Sequence, residues 1–241
     1  MASDTKVNVV LVHGAWADGS SWQRVIPLLY NEGFRVTTVP IPLSSLEDDV
    51  ARTQSVIKRV LAANAGPIVL AAHSWGGAVI SAAGTDPNIV GLVYVAAFAP
   101  DEGEVFGPLN DRFPPGAGLS HIQGPDDQGF LWIDPAVYPD VFAQDVDKAE
   151  ARIMAATQRP LAANVFGAKP STAAWRSKPS WYLVAEDDQI INPDLERWMA
   201  QRMRAETHSV KSSHVAMMSH PREVVELIMQ AATASAGARM G

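Results

Sequence analysis

The sequence predicts an α/β fold built on a mostly parallel sheet with helices on both faces. Two observations carry this. Residues 7–12, 68–72, 90–96 and 181–185 are apolar runs without the polar alternation of a one-sided strand, the pattern of strands buried on both faces. The stretches between them repeat apolar residues three and four apart, which is helical spacing. Strands that alternate with helices pair in parallel.

Taken in order, residues 7–12 form a β-branched strand ending at His13-Gly14. Residues 20–31 carry Trp22, Val25, Ile26, Leu28 and Leu29 at helical spacing, with Gly33 as the C-terminal stop. Residues 34–39 are the next strand, halted by Pro40 and Pro42. An amphipathic helix follows over 46–63. Residues 68–72 deliver Ser74, a helix starts at Trp75, and 90–96 is another buried strand. Residues 181–185 and a weaker 207–210 complete the strands, and helices are expected over 192–204 and 221–232. Residues 101–178 break the rhythm. They are rich in Pro, Gly and aromatics, offer no core strand and hold one clear helix near 149–157. So long a stretch without structure of its own is unusual in a compact domain. It reads as a helical cap inserted into a core made of residues 1–100 and 179–241.

Composition narrows the function. Of 241 residues, 47% are hydrophobic and 19% charged, and the net charge is −7. That suits a globular core and speaks against nucleic-acid binding. There is no cysteine, hence no disulfide frame or thiolate metal site. The polar start lacks the apolar segment of a signal peptide, and no apolar run has membrane-spanning length. A cytoplasmic location without membrane or nucleic-acid partners is the expectation, with room for a homodimer.

The chemistry centres on Ala72-His73-Ser74-Trp75-Gly76-Gly77. An apolar strand ends at a serine, two glycines follow and a helix begins at once, the layout of a nucleophile elbow. A serine hydroxyl needs a base, a group that orients the base, and donors for the oxyanion. His214, in the loop between the last strand and the last helix, is the candidate base. Asp188 in Glu186-Asp187-Asp188 is the candidate acid, with Asp187 beside it as the alternative and Asp101 as an outside one. The order Ser, Asp, His suits this chemistry. The amides of Ala15 and Trp75 are the candidate oxyanion donors. His13, Gly14, Trp16, Phe130 and Trp132 are the candidate pocket residues, and no metal ligands are expected.

These residues carry a resemblance. The chain resembles the α/β-hydrolase superfamily over nearly its whole length, and is similar in particular to the esterase and hydroxynitrile lyase branch that includes plant methyl esterases. The segments that carry it are Val10-Leu11-Val12-His13-Gly14-Ala15-Trp16, Ala96-Ala97-Phe98-Ala99-Pro100-Asp101 and Ser213-His214-Val215-Ala216-Met217. The resemblance implies a six-stranded core, a cap between the strands ending near Ala97 and starting at Trp181, no cofactor, and Asp188 as the acid. Lyase members of the branch carry Thr at the position of Gly14 and Lys at that of Val215, which favours ester hydrolysis here. The expected substrate is a neutral, apolar or aryl small-molecule ester. A receptor-like ligand-binding protein, a perhydrolase, an acyltransferase and a cofactor-free oxygenase are the alternatives.

Overall fold

The computed structural model describes residues 6–237. Its main sheet contains β1 (Asn8–Val12), β2 (Arg35–Val39), β3 (Ile68–Ser74), β4 (Ile89–Ala97), β8 (Ser180–Ala185) and β9 (Glu206–Val210). Their order is β2-β1-β3-β4-β8-β9, with every pairing parallel. The expected six strands are therefore present. β1, β3 and β8 are buried at every residue, whereas of the edge strands β2 is half-buried and β9 largely exposed. That exposure explains the weak apolar signal at 207–210. Chain direction through the sheet reverses between β1 and β3. An open parallel sheet places its ligand crevice outside the carboxyl ends of strands at such a point.

The flanking helices are α1 (Val25–Asn31), α2 (Leu46–Ala63), α3 (Trp75–Ala83), α7 (Pro193–Met203), α8 (Ala216–Ser219) and α9 (Pro221–Gly237). Ser45 caps α2 by accepting the Asp48 N–H, and Glu47, Asp48 and Asp49 fill its first turn, where acids favour the helix dipole. Its inner stripe buries Leu46, Val56, Ile57 and Val60, each worth about 1.5–3 kcal/mol when removed from water. Asn192 caps α7, and Pro193 starts it, where a missing N–H costs nothing. The single helix expected over 20–31 is broken. A 3-10 turn covers Gly19–Trp22, and α1 begins at Val25. Pro27 has no N–H for the carbonyl of Gln23, so a continuous helix would lack a bond there and Pro27 falls in the first turn of α1 instead.

Between β4 and β8 lie α4 (Phe106–Asn110), β5 (Ile122–Gln123), β6 (Phe130–Ile133), α5 (Tyr138–Val141), α6 (Lys148–Thr157) and β7 (Leu161–Ala162). The helix expected near 149–157 is α6. The three strands pair antiparallel in a separate small sheet, too short to leave a period in the sequence, so the segment is not purely helical. Asp101 and Arg176, near its two ends, are bonded side chain to side chain at 2.6 and 2.8 Å. The outside candidate for the acid is thus engaged in closing this segment.

Candidate active site

Ser74 ends β3 and precedes α3 with φ +53° and ψ −125°. A non-glycine residue held at positive φ is strained, and such strain is characteristic of functional turns. The strain is imposed by packing. A Cβ on Gly76 would sit 2.6 Å from the His13 carbonyl, and one on Gly77 2.2 Å from that of Phe98. The start of α3 is wedged between the ends of β1 and β4, and only glycines allow it.

His214 lies in the loop before α8. Its Nδ1 is 2.5 Å from Asp188 Oδ2, and both side chains are fully buried. Asp188 Oδ1 accepts the N–H groups of Ile190 and Ile191 at 2.6 and 3.0 Å. The pair is thus fixed from both ends, and His214 Nε2 is left without a hydrogen-bond partner. The neighbouring Asp187 is exposed. Of the two adjacent acids, the structure brings Asp188 to the histidine. The His214 main chain is tied to the elbow, because its carbonyl accepts from His73 Nε2 at 2.8 Å. Phe142 packs its ring against His214, with centroids 4.9 Å apart, and Asp145 accepts the Ser213 N–H at 2.8 Å. Both come from the segment between β4 and β8.

Ser74 opens into a cavity of about 220 Å³ at the carboxyl end of the sheet. Ala15 and Trp75 line it too. Trp75 is the first residue of α3, so its N–H has no intrahelical acceptor. The Ala15 N–H enters no backbone bond of its turn, whereas the next amide, of Trp16, donates to Arg159. Of the five pocket candidates only Trp16 reaches this cavity. His13 is buried beneath it, with Nδ1 donating to the Gly14 carbonyl. Phe130 and Trp132 occupy the less buried positions of β6, alternating with the buried Leu131 and Ile133; Trp132 Nε1 donates to Asp126 instead. Neither ring lines the cavity into which Ser74 opens. Phe98, Phe106 and Phe166 supply the aromatic wall in their place.

The whole arrangement, from β1 to α9, matches a known family model, that of the alpha/beta hydrolase family, over residues 9–227. The chain belongs to this family. A putative methylesterase of Arabidopsis thaliana is 27% identical, with 91% of this chain and 94% of that protein covered. A pyrethroid hydrolase of Sphingobium wenxiniae is 26% identical, with 96% and 90% covered. The crystal structure of a pyrethroid hydrolase from Sphingobium faniae superposes with a TM-score of 0.78 at 24% identity, covering 97% of this chain and all of that one.

In this alpha/beta hydrolase the surroundings of His214 and the elbow include four buried titratable side chains, His13, His73, Asp49 and Glu196. Burial lowers His13 to about 4 and holds His73 well below the ordinary histidine range, so both stay neutral beside His214. Asp49 lies under the elbow, accepting Leu43 N–H and Trp75 Nε1–H at 2.7 Å each, and burial raises its carboxyl to about 6. Glu196 on α7 is fully buried behind Asp188. A signal for both acids was present: each falls on the apolar stripe of its helix, Asp49 with Leu46, Thr53 and Val56, and Glu196 with Met199, Ala200 and Met203. Among the described residues no group of three or more His, Asp or Glu is placed to hold a metal ion, and no helix is long and apolar enough to cross a membrane.

Proposed function

We propose that the chain is a serine carboxylic-ester hydrolase in which Ser74, His214 and Asp188 act as a unit. The observation that carries this reading is the buried His214–Asp188 pair, whose imidazole lies 4.5 Å from the ring of His73, the residue next to a serine held at positive φ in a cavity wall. His214 Nε2 takes the Ser74 proton as the hydroxyl oxygen attacks the acyl carbon. Asp188 holds the Nδ1–H tautomer and stabilises the imidazolium. The amides of Ala15 and Trp75 receive the oxyanion. Collapse of the tetrahedral adduct expels the alcohol, which takes the proton from His214. Water, deprotonated by the same nitrogen, attacks the acyl carbon, and the Ser74 oxygen leaves with that proton as the acid is released.

The cavity points to the substrate class. Its wall is formed by Trp16, Phe98, Phe106, Leu161 and Phe166 among others, it contains no Lys, Arg, Asp or Glu, and Asn110 is its single amide side chain. An ionised substrate would lose its hydration there without a partner. A neutral ester with one ring-sized apolar part fits. The curated relatives, a methylesterase and a pyrethroid hydrolase by name, agree with a small ester. Residues 101–178 act as the cap in this reading, since Phe106, Asn110, Leu161 and Phe166 come from it. Ser74→Ala tests the assignment. Hydrolysis of p-nitrophenyl esters is expected to fall by about 10⁶ in kcat with folding retained. Wild-type turnover in this variant contradicts it.

A further inference from the structure

Behind the His214–Asp188 pair lies a second carboxyl that the hydrolytic cycle does not use. Glu196, on α7, is fully buried. Its Oε2 accepts the Ala185 N–H at 3.1 Å, and its Oε1 meets no donor. The cation next to it in sequence, Arg197, is half-exposed and turns to Asp194 at 3.0 Å and Glu186 at 3.9 Å. Tyr182 also faces Glu196, but its hydroxyl is spent on the Ala97 carbonyl at 2.5 Å. The remaining neighbour is Asp188, which shares one buried turn with it: the Ala185 carbonyl accepts the Asp188 N–H at 3.2 Å, and the Ala185 N–H goes to Glu196.

Two carboxylates cannot share a dry site as two charges, and a hydrogen bond between them requires one proton. Asp188 already accepts three hydrogen bonds, two from amides and one from His214. Glu196 accepts one. The proton therefore belongs on Glu196. We propose that Glu196 is a positioning residue, a neutral carboxylic acid that donates to Asp188 and extends the chain to Glu196–Asp188–His214–Ser74. Burial first, and then the adjacent charge of Asp188, push the Glu196 carboxyl well above the ordinary range, in agreement with this geometry.

The consequence is functional. A donor behind Asp188 withdraws part of its negative charge and weakens its hold on the imidazolium. His214 then gives up a proton more readily, and activity extends to lower pH. An ionised Glu196 would do the opposite. The charged and titratable groups in reach are Asp188, Tyr182 and Arg197, with His214 and then His73 beyond Asp188. This role rests on the reading of Ser74, His214 and Asp188 as the catalytic unit, whereas the protonation of Glu196 does not.

Infrared difference spectroscopy and kinetics on the full chain separate the two. At pH 8 Asp49 is ionised, so wild-type protein and Ser74→Ala are both expected to show a protonated-carboxyl band that Glu196→Gln removes. Gln is neutral, donates an amide to Asp188 and accepts from Ala185. Its kcat, KM and pH profile are expected to match wild type within about twofold. Glu196→Met removes the donor: kcat is expected to fall about tenfold at unchanged KM, with the acidic limb of kcat/KM moved to higher pH. Absence of the band overturns the proposal, as does an acidic limb moved to lower pH in Glu196→Gln, the sign of a lost negative charge. So does a folded Glu196→Met with wild-type kcat and profile. If that variant does not fold, the band and the Gln profile decide. Retained hydrolysis in Ser74→Ala would overturn the catalytic unit instead and leave the band unaffected.

Discussion

Gly14 stands against Ser74 so closely that a Cβ on the glycine would lie 2.6 Å from the Cβ of the serine and 2.9 Å from His73 Nδ1. No side chain fits there unless the elbow moves. Displacing a reacting group by about 1 Å costs on the order of 10²-fold. Gly14→Ala and Gly14→Thr are therefore expected to lose at least that much in kcat/KM for p-nitrophenyl acetate. Neither the wild type nor Gly14→Thr is expected to release cyanide from mandelonitrile above background. Cyanide release faster than ester hydrolysis would reverse the assignment of reaction class.

The two adjacent acids have different surroundings. Asp188 is buried against His214, and Asp187 points to solvent. Asp188→Asn is expected to cost about 10⁴ in kcat, because an amide selects the wrong imidazole tautomer. Asp187→Asn is expected to stay within about twofold of wild type. Steady-state kinetics on the two variants check this, and the opposite ranking contradicts the pairing.

Asp49 gives a pH dependence of stability with a definite sign. Its carboxyl is raised to about 6 in the folded protein, so the folded state holds the proton more tightly than the unfolded chain. The stabilisation is complete below the ordinary carboxylate range and is lost as pH rises through 6. Asn at this position has no such proton and can accept only one of the two N–H bonds. The stability gap between wild type and Asp49→Asn, from urea unfolding, is expected to widen by roughly 2 kcal/mol on going from pH 7 to pH 4. A gap that narrows over this range contradicts the account. Both proteins also weaken in acid, because His13, lowered to about 4, must take a proton to reach its unfolded state.

Selectivity should follow the cavity wall. Phe106 packs edge-on against Trp75 and Phe98, with centroids 5.0 and 4.6 Å apart, and Phe166 lies beside it. Phe106→Ala and Phe166→Ala are expected to change kcat/KM unevenly across acetate, butyrate, octanoate and benzoate esters, by about 1–3 kcal/mol between neighbours. Trp132→Ala, outside the cavity, is expected to leave the ranking unchanged. Uniform scaling by the two Phe variants, with a lowered Tm, would make those rings packing residues only.

Much of this was legible in the sequence, for reasons that particular residues make plain. Ser74 stood out because strand, serine and paired glycines occur together where backbones nearly touch. The central strands announced themselves because burial on both faces leaves them unbroken runs, and β9 was faint because it is an edge. Trp16 lines the cavity while Phe130 and Trp132 do not, and these two belong to a strand of four residues, too short for the sequence to show which face is which. The break at Pro27 was overlooked because apolar spacing continues across it. Asp49 and Glu196 are hard to single out, since in the sequence a buried acid in an amphipathic helix differs from a solvated one only by its place on the apolar stripe.

The central claim is that Ser74 is an activated nucleophile. The most direct measurement is reaction of the native protein with a fluorophosphonate probe, followed by peptide mapping. Labelling is expected on Ser74 alone, to disappear in Ser74→Ala, and to slow strongly in Asp188→Asn. Labelling at another serine, or no labelling while the protein still hydrolyses esters, would contradict the account.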